Sequence, residues 1–354
     1  IQRLSKFVAL EVNALTVFIP LHYILQFFYG CFYVSIKFII YFYKMRFFFC
    51  VLAVFGLAKA TMGTVAPDAA TFFDSTIHGN LTKITWVHAV NNFKKLNETL
   101  ADESIMMVEA DIVLGTVGNF SEIIPIMAHP PNNNSDLSLA DFLTAMVKHK
   151  KKGVKLDFKT IEAFNASLEL LTKHRENMTF PVWLNADILR GPVDADTEPV
   201  DAKQFLSLAS KTLPESTLSI GWTTKYGIVN MTFSGNYSEA QIDEMIKTVS
   251  NTSQPITYPV RAGLAAGGIT VWSKLLNNTA DKNATLTIWS AEGDKVDVDQ
   301  LKKLIQEVGY DRVYVDVPEK LQKQLAGSAT AASISTFVLL SSIFLGNVLL
   351  ASLF

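Results

Sequence analysis

Cysteine is nearly missing from this chain. Its 354 residues include two, Cys31 and Cys50, and neither lies beyond residue 60. A disulfide framework is therefore excluded for the rest of the chain, and stability has to come from a packed core, which a stretch of this length can supply. Methionine is absent before Met45, and charge is absent from residues 327–354. Excess positive charge is lacking as well. Residues 61–354 hold 25 lysines and arginines against 32 aspartates and glutamates, a balance that argues against a nucleic-acid partner. No internal repeat or low-complexity linker divides the chain, so residues 61–326 predict one large α/β domain.

What is present begins at the ends. Residues 7–43 are apolar and aromatic, with Asn13 and Pro20 inside. They read either as a membrane span or as bases translated upstream of a true start at Met45. The second reading is preferred for residues 1–44, because a complete secretory signal begins at Met45. Arg46 gives the basic start, residues 47–57 the apolar run, and Ala58 and Ala60 the small residues of a cleavage site. That run is shorter than the roughly 20 apolar residues of a spanning helix. Residues 45–60 are thus a predicted signal peptide, with the mature chain starting near Thr61. At the other end, Gly327-Ser328-Ala329 precede a Ser/Thr/Ala spacer and the apolar residues 337–354. A type I membrane helix normally ends in Lys or Arg. The uncharged end instead predicts a glycosylphosphatidylinositol-anchor signal over residues 327–354, with a plain membrane helix as the other reading.

Asparagine sequons agree with export. Asn80, Asn97, Asn119, Asn133, Asn165, Asn177, Asn230, Asn236, Asn251, Asn277 and Asn283 each have Ser or Thr two places on. Each match alone is weak, but the density fits a glycosylated surface. The expectation is an extracellular or cell-surface glycoprotein held to the membrane through its C-terminal tail. The basic run 148–152 is read as a solvated helix end, where cations offset the helix dipole.

Strand-like and helix-like segments alternate through the domain. Strands are predicted at 84–90, 106–114, 154–159, 182–188, 217–224, 256–262, 284–290 and 312–316. Amphipathic helices are predicted at 92–100, 139–151, 161–174, 201–213, 239–249, 269–276 and 298–308. Eight strands with intervening helices predict a (β/α)8 TIM-like barrel, with a doubly wound open sheet as runner-up. The insert 115–131 carries a short apolar run at 123–127 and predicts an extra strand or loop over the barrel mouth.

Polar residues collect where the strands end. His88 closes the first strand. Glu109 and Asp111 lie two apart on the second and face one side. Asp157 stands between Lys155 and Lys159 on the third, Asn185 and Asp187 share a face on the fourth, and Arg261 ends the sixth. Active sites of such barrels form at the carboxyl ends of the strands.

Several motifs carry a resemblance. Thr85-Trp86-Val87-His88-Ala89-Val90-Asn91-Asn92, Glu109-Ala110-Asp111, Pro125-Ile126-Met127-Ala128-His129-Pro130-Pro131 and Lys155-Leu156-Asp157-Phe158-Lys159 resemble motifs of the menorin family. So do Pro181-Val182-Trp183-Leu184-Asn185-Ala186-Asp187-Ile188, Leu218-Ser219-Ile220-Gly221-Trp222-Thr223-Thr224, Pro259-Val260-Arg261-Ala262 and the strand around Trp289. The match covers residues 73–318. That family in turn resembles the glycerophosphodiesterase and spider sphingomyelinase superfamily. Those barrels pair an early histidine with a second one following a Glu-x-Asp motif, and His88, Glu109-x-Asp111 and His129 stand in that order. One departure is clear. The superfamily has arginine and glycine after the first histidine, where this chain has Ala89 and Val90.

The resemblance implies a metal-dependent phosphodiesterase acting on a phosphodiester or phospholipid. Glu109, Asp111 and Asp157 would offer hard oxygen ligands to Mg²⁺ or Ca²⁺. His88 and His129 would exchange protons with the attacking and leaving groups. Lys159 and Arg261 would stabilise charge on the phosphate, and Asn185 and Trp222 would line the substrate. The plainer reading of the same residues is a set of ion pairs between these carboxylates and Lys155 and Lys159, with the tryptophans as packing. The functional alternative is a non-enzymatic surface ligand that uses the barrel for contacts with cell-surface protein partners, as the family's association with extracellular recognition in development implies.

Overall fold

The computed structural model describes residues 64–192, 195, 197–224 and 235–326. The predicted signal peptide, the apolar segment before it, the C-terminal tail and the sequon at Asn230 lie outside the described residues. Ten strands form one sheet. They are β1 (Trp86–Val87), β2 (Met107–Val117), β3 (Ile124–Met127), β4 (Asn134–Ser135), β5 (Gly153–Phe158), β6 (Val182–Arg190), β7 (Thr217–Thr223), β8 (Ile256–Arg261), β9 (Thr285–Trp289) and β10 (Val313–Asp316). Eight of them run parallel in the order β1-β2-β5-β6-β7-β8-β9-β10. The edge strands approach through side chains: the Trp86 and Tyr314 rings lie 6.5 Å apart, and His88 pairs with Asp316. The result is a nearly closed TIM-like barrel, as predicted.

Helices α1 (Phe93–Ala101), α2 (Leu139–His149), α3 (Ile161–His174), α4 (Ala202–Thr212), α5 (Glu239–Thr248), α6 (Ile269–Asn278) and α7 (Val298–Val308) fill the crossovers. Most start at a side-chain cap. Asn92, Ser138, Thr160, Asp201, Ser238 and Asp297 each accept a backbone N–H three residues on. Such a cap contributes about 1 kcal/mol. No helix among the described residues is long and apolar enough to cross a membrane.

Strand alternation divides the core in two. Outward residues such as Val108, Ala110, Ile112, Leu156, Phe158, Leu184 and Ile288 pack beneath Phe142, Phe164, Phe205, Met245, Trp272 and Leu304 of the helices. Each buried Val, Leu, Ile, Met or Phe among them contributes roughly 1.5–3 kcal/mol. Inward residues near the strand starts form a separate plug. Trp86, Met107, Trp183 and Tyr314 meet Phe73, Ile77, Leu81 and Ile84 from the segment before β1.

Three local expectations change. The first strand is shorter than residues 84–90, because a 3-10 turn at Leu81–Lys83 precedes it and Ala89, with φ 50°, turns the chain out of it. The second strand is longer. It projects past the barrel and pairs antiparallel with β3, from Ile112 opposite Met127 to Gly115 opposite Ile124. This is the extra strand the insert predicts. Gly115 is required there, since a Cβ would lie 2.2 Å from the Asn133 carbonyl oxygen. The third change is Lys152. It is buried, and its ammonium donates to the carbonyls of Asp102 at 2.5 Å and Ile105 at 2.7 Å. The end of the basic run is thus an internal clamp, not a solvated one.

Candidate active site at the barrel mouth

The mouth is built by the inward residues two positions beyond the aromatic plug. Register sets them side by side. Glu109 lies opposite Lys155, Asp111 opposite Asp157, Asp157 opposite Asn185 and Asn185 opposite Ser219. A carboxylate oxygen from each of Glu109, Asp111 and Asp157 lies within 4.8 Å of the others. The remaining oxygens are oriented by amides. The Asn91 side chain donates to Asp111 Oδ2 at 2.8 Å and accepts the Asp111 N–H at 3.0 Å. Asn185 Nδ2 donates to Asp157 Oδ1 at 2.7 Å and accepts from Ser219 Oγ at 2.6 Å. Asn185 thus sets the aim of Asp157.

Lys159 reaches between two of the carboxylates, with Nζ 2.7 Å from Asp111 Oδ1 and 2.5 Å from Asp157 Oδ2. Burial alone would lower its pKa. Asp157, Asp111 and Glu109 outweigh that and hold it well above the usual lysine value. Asp111 shifts the other way: burial and then Glu109 raise its carboxyl above the ordinary range, against the pull of Lys159.

His88 is clamped. Its Nδ1 lies 3.4 Å from Glu109 Oε2, and its Nε2 meets Asp316 Oδ1. With a carboxylate at each nitrogen, the ring carries both protons. Burial opposes the charge, but Asp316 and Glu109 together push His88 up to about 10. Burial likewise opposes ionisation of Glu109, and His88 followed by Lys155 and Lys159 pulls it down to about 2. Glu109 also accepts the Ala89 N–H at 2.7 Å. The Lys95 ammonium donates to the His88 carbonyl.

The remaining predicted residues are placed as follows. His129 is exposed, with Nδ1 2.7 Å from the Pro130 carbonyl oxygen. Its neighbour Ala128 donates to the Asp111 carbonyl at 3.0 Å, which holds His129 beside the mouth. Arg261 is engaged by Asp294 through two bonds of 2.9 and 2.8 Å, and its guanidinium lies 5.0 Å from the centre of the Trp289 ring. Trp222 is not in the mouth. It is 2% exposed and packs against Tyr237, Tyr258 and Trp272 at 5.3, 6.2 and 6.2 Å. Gly221 takes the inward position, so Trp222 faces the helices, which is a packing role.

Two residues were missed. Asp316, buried at 1%, holds His88 from the last strand. Its signal was available, since Tyr314 and Asp316 repeat the aromatic-then-polar alternation of the other strands. Asp187 stands out in the sequence only as sharing a face with Asn185. It is open to the mouth, and the surrounding protein and then Asp157 raise its carboxyl. The mouth is therefore strongly acidic: Glu109, Asp111, Asp157, Asp187 and Asp316 face His88, Lys155 and Lys159. Hard oxygen donors with uncompensated negative charge fit a divalent cation.

Comparisons with known proteins bear on this arrangement. A family model of the Menorin N-terminal domain matches residues 80–322. Human Protein FAM151B is 36% identical over 237 residues, covering 67% of this chain and 83% of that protein. Among solved structures, a glycerophosphodiester phosphodiesterase from Parabacteroides distasonis superposes with a TM-score of 0.38 at 12% identity, over 70% of this chain and 99% of its own. A putative alpha-L-fucosidase from Bacteroides thetaiotaomicron gives 0.39 at 13% identity, over 68% and 88%. Structural likenesses this distant carry no weight for activity.

Proposed function

The chain belongs to the menorin family, and from that premise we propose that its barrel mouth is a cation-dependent site for hydrolysing a phosphodiester or phospholipid outside the cell. One observation carries the reading: three carboxylates converge within 4.8 Å, each aimed by its own hydrogen bonds. Glu109, Asp111 and Asp157 would hold Mg²⁺ or Ca²⁺. When bound, the cation would polarise the phosphoryl group and neutralise its charge.

The chain's own groups then divide the work. His88, doubly held by Glu109 and Asp316, stays charged near neutrality and acts as a fixed cation, not a base. His129 donates through Nδ1 to Pro130, which leaves Nε2 to accept a proton from the attacking hydroxyl. Asn185 and Asn91 hold the carboxylates in position. Lys159, which bridges Asp111 and Asp157, would stabilise charge on the phosphoryl group if those carboxylates held a cation.

Export and surface attachment belong to the same proposal. Nine of the ten sequon asparagines among the described residues are exposed, and Asn80 is half-buried, as a glycosylated surface requires. Release of the protein from expressing cells by a phosphatidylinositol-specific phospholipase tests the anchor.

A second reading has its own support. His88 and Arg261 are both held by carboxylates of the chain itself, as in a barrel kept for protein contacts with a cell-surface partner and not for turnover. The deciding experiment incubates the glycosylated protein with glycerophosphodiesters and lysophospholipids, with and without Mg²⁺ or Ca²⁺. Hydrolysis read by phosphorus NMR should require the cation and disappear in Asp157→Asn. No turnover of any such substrate by the cation-loaded wild type would leave the surface-ligand reading in its place.

A further inference from the structure

The two cations that the sequence assigns to the substrate are both engaged, Arg261 by Asp294 and Lys159 by Asp111 and Asp157. Lys155 is not. It lies on β5 in register with Glu109, on the inward face that it shares with Asp157. The residue is 5% exposed. Among the described residues no carboxylate comes within 4 Å of its ammonium and no hydrogen bond satisfies it. Its charge is nevertheless felt by Glu109 on the neighbouring strand and by Asp187 one level higher. Strand register sets its backbone level with Glu109 and Trp183, one inward position below Asp157. The ammonium is not among the fully enclosed polar atoms that lack a partner, so it opens into the mouth, where a cation with no carboxylate close by is available to an incoming anion.

We propose that Lys155 is the anion anchor of this site: it takes a non-bridging oxygen of the substrate's phosphoryl group inside the barrel, below Asp187. The proposal rests on the phosphodiester reading and narrows it. The substrate would bring its anionic group into the mouth on the inner face of β5 instead of laying it across the rim at Arg261. Long-range neutralisation of Glu109 is the competing role for Lys155, and it makes no demand for an incoming anion.

The test is binding of inorganic phosphate to the glycosylated protein in the presence of Mg²⁺, measured by calorimetry. Lys155→Met and Lys155→Gln should weaken phosphate binding at least about tenfold, the loss of one charge-assisted hydrogen bond. Mg²⁺ affinity should be unchanged or tighter, and Lys155→Arg should stay within about threefold of wild type. In the wild-type protein, the Lys155 Nζ nitrogen resonance should shift on adding phosphate, a readout that does not depend on any variant folding. Wild-type phosphate affinity in both variants, or no shift of that resonance, overturns the anchor while cation-dependent hydrolysis still stands. Absence of phosphate binding by wild type overturns the anchor as well, and the hydrolysis assay then decides the broader reading separately.

Discussion

The two ends of the barrel are made from the same strands and differ by a step of two residues. Trp86 gives way to His88, Met107 to Glu109 and Asp111, Trp183 to Asn185 and Asp187, and Tyr314 to Asp316. The closed end is an aromatic plug, with ring centres 4.8–6.5 Å apart. The open end is a cluster of carboxylates around a few held cations. One end lowers the free energy of the fold by excluding water. The other concentrates like charge, which costs stability unless a cation or substrate compensates it. The contrast teaches that, apart from the His88–Asp316 pair across the edge strands, the mouth adds little to making the barrel, so variants at the two ends should separate stability from ligand response.

The largest effect is expected at the plug. Trp183→Ala should destabilise the protein by about 3–5 kcal/mol, read from chemical denaturation, while the remaining folded protein still responds to Mg²⁺. A loss below about 1 kcal/mol would break the comparison. Next is Asp111→Asn at the mouth. Wild-type protein should gain about 2.7 kcal/mol at a cation concentration one hundred times its Kd, seen as a rise in Tm. Asp111→Asn should show no such rise, yet match or exceed wild-type stability without cation, because burial and Glu109 already oppose ionisation of Asp111.

Trp222→Phe should have a smaller effect, a loss of about 1–2 kcal/mol with cation response and hydrolysis unchanged. A large rise in KM with unchanged stability would return Trp222 to the substrate. The smallest effect concerns pH. His88 is raised from 6.5 to about 10, so its contribution is complete below about pH 6.5 and is lost as pH rises towards 10. Glu109 is lowered from 4.5 to about 2, so its contribution is complete above about pH 4.5 and is lost as pH falls towards 2. Their plateau lies between about pH 4.5 and 6.5. Asp316→Asn should flatten the alkaline decline and bring the His88 ring titration down, followed by proton NMR. The change in Tm should be modest, because the His88 side chain is 44% exposed and water screens it.

Much of this was legible in the sequence. Period-two alternation gave the strands, and the Glu-x-Asp and Lys-x-Asp-x-Lys spacings placed Glu109, Asp111, Asp157 and Lys159 on one inner face. The structure brings those residues and His88 together. What alternation alone did not settle was who holds whom. Asp316 is in the last strand and meets His88 only because the sheet curls back on itself. Asp294 lies in a loop beyond β9, where no period predicts its reach to Arg261. Trp222 was readable: Ser219 faces inward, so Gly221 does and Trp222 does not. Lys152 was misassigned because a charge run says nothing about which member tucks under the preceding loop.

The most direct test of the central claim is a crystal structure of the domain soaked in Mn²⁺ as a stand-in for Mg²⁺, with anomalous scattering recorded. The account predicts one anomalous peak bounded by carboxylate oxygens of Glu109, Asp111 and Asp157, with Lys159 moved off Asp111 and Asp157. A map without that peak, in which Lys159 still bridges the two aspartates, would contradict it.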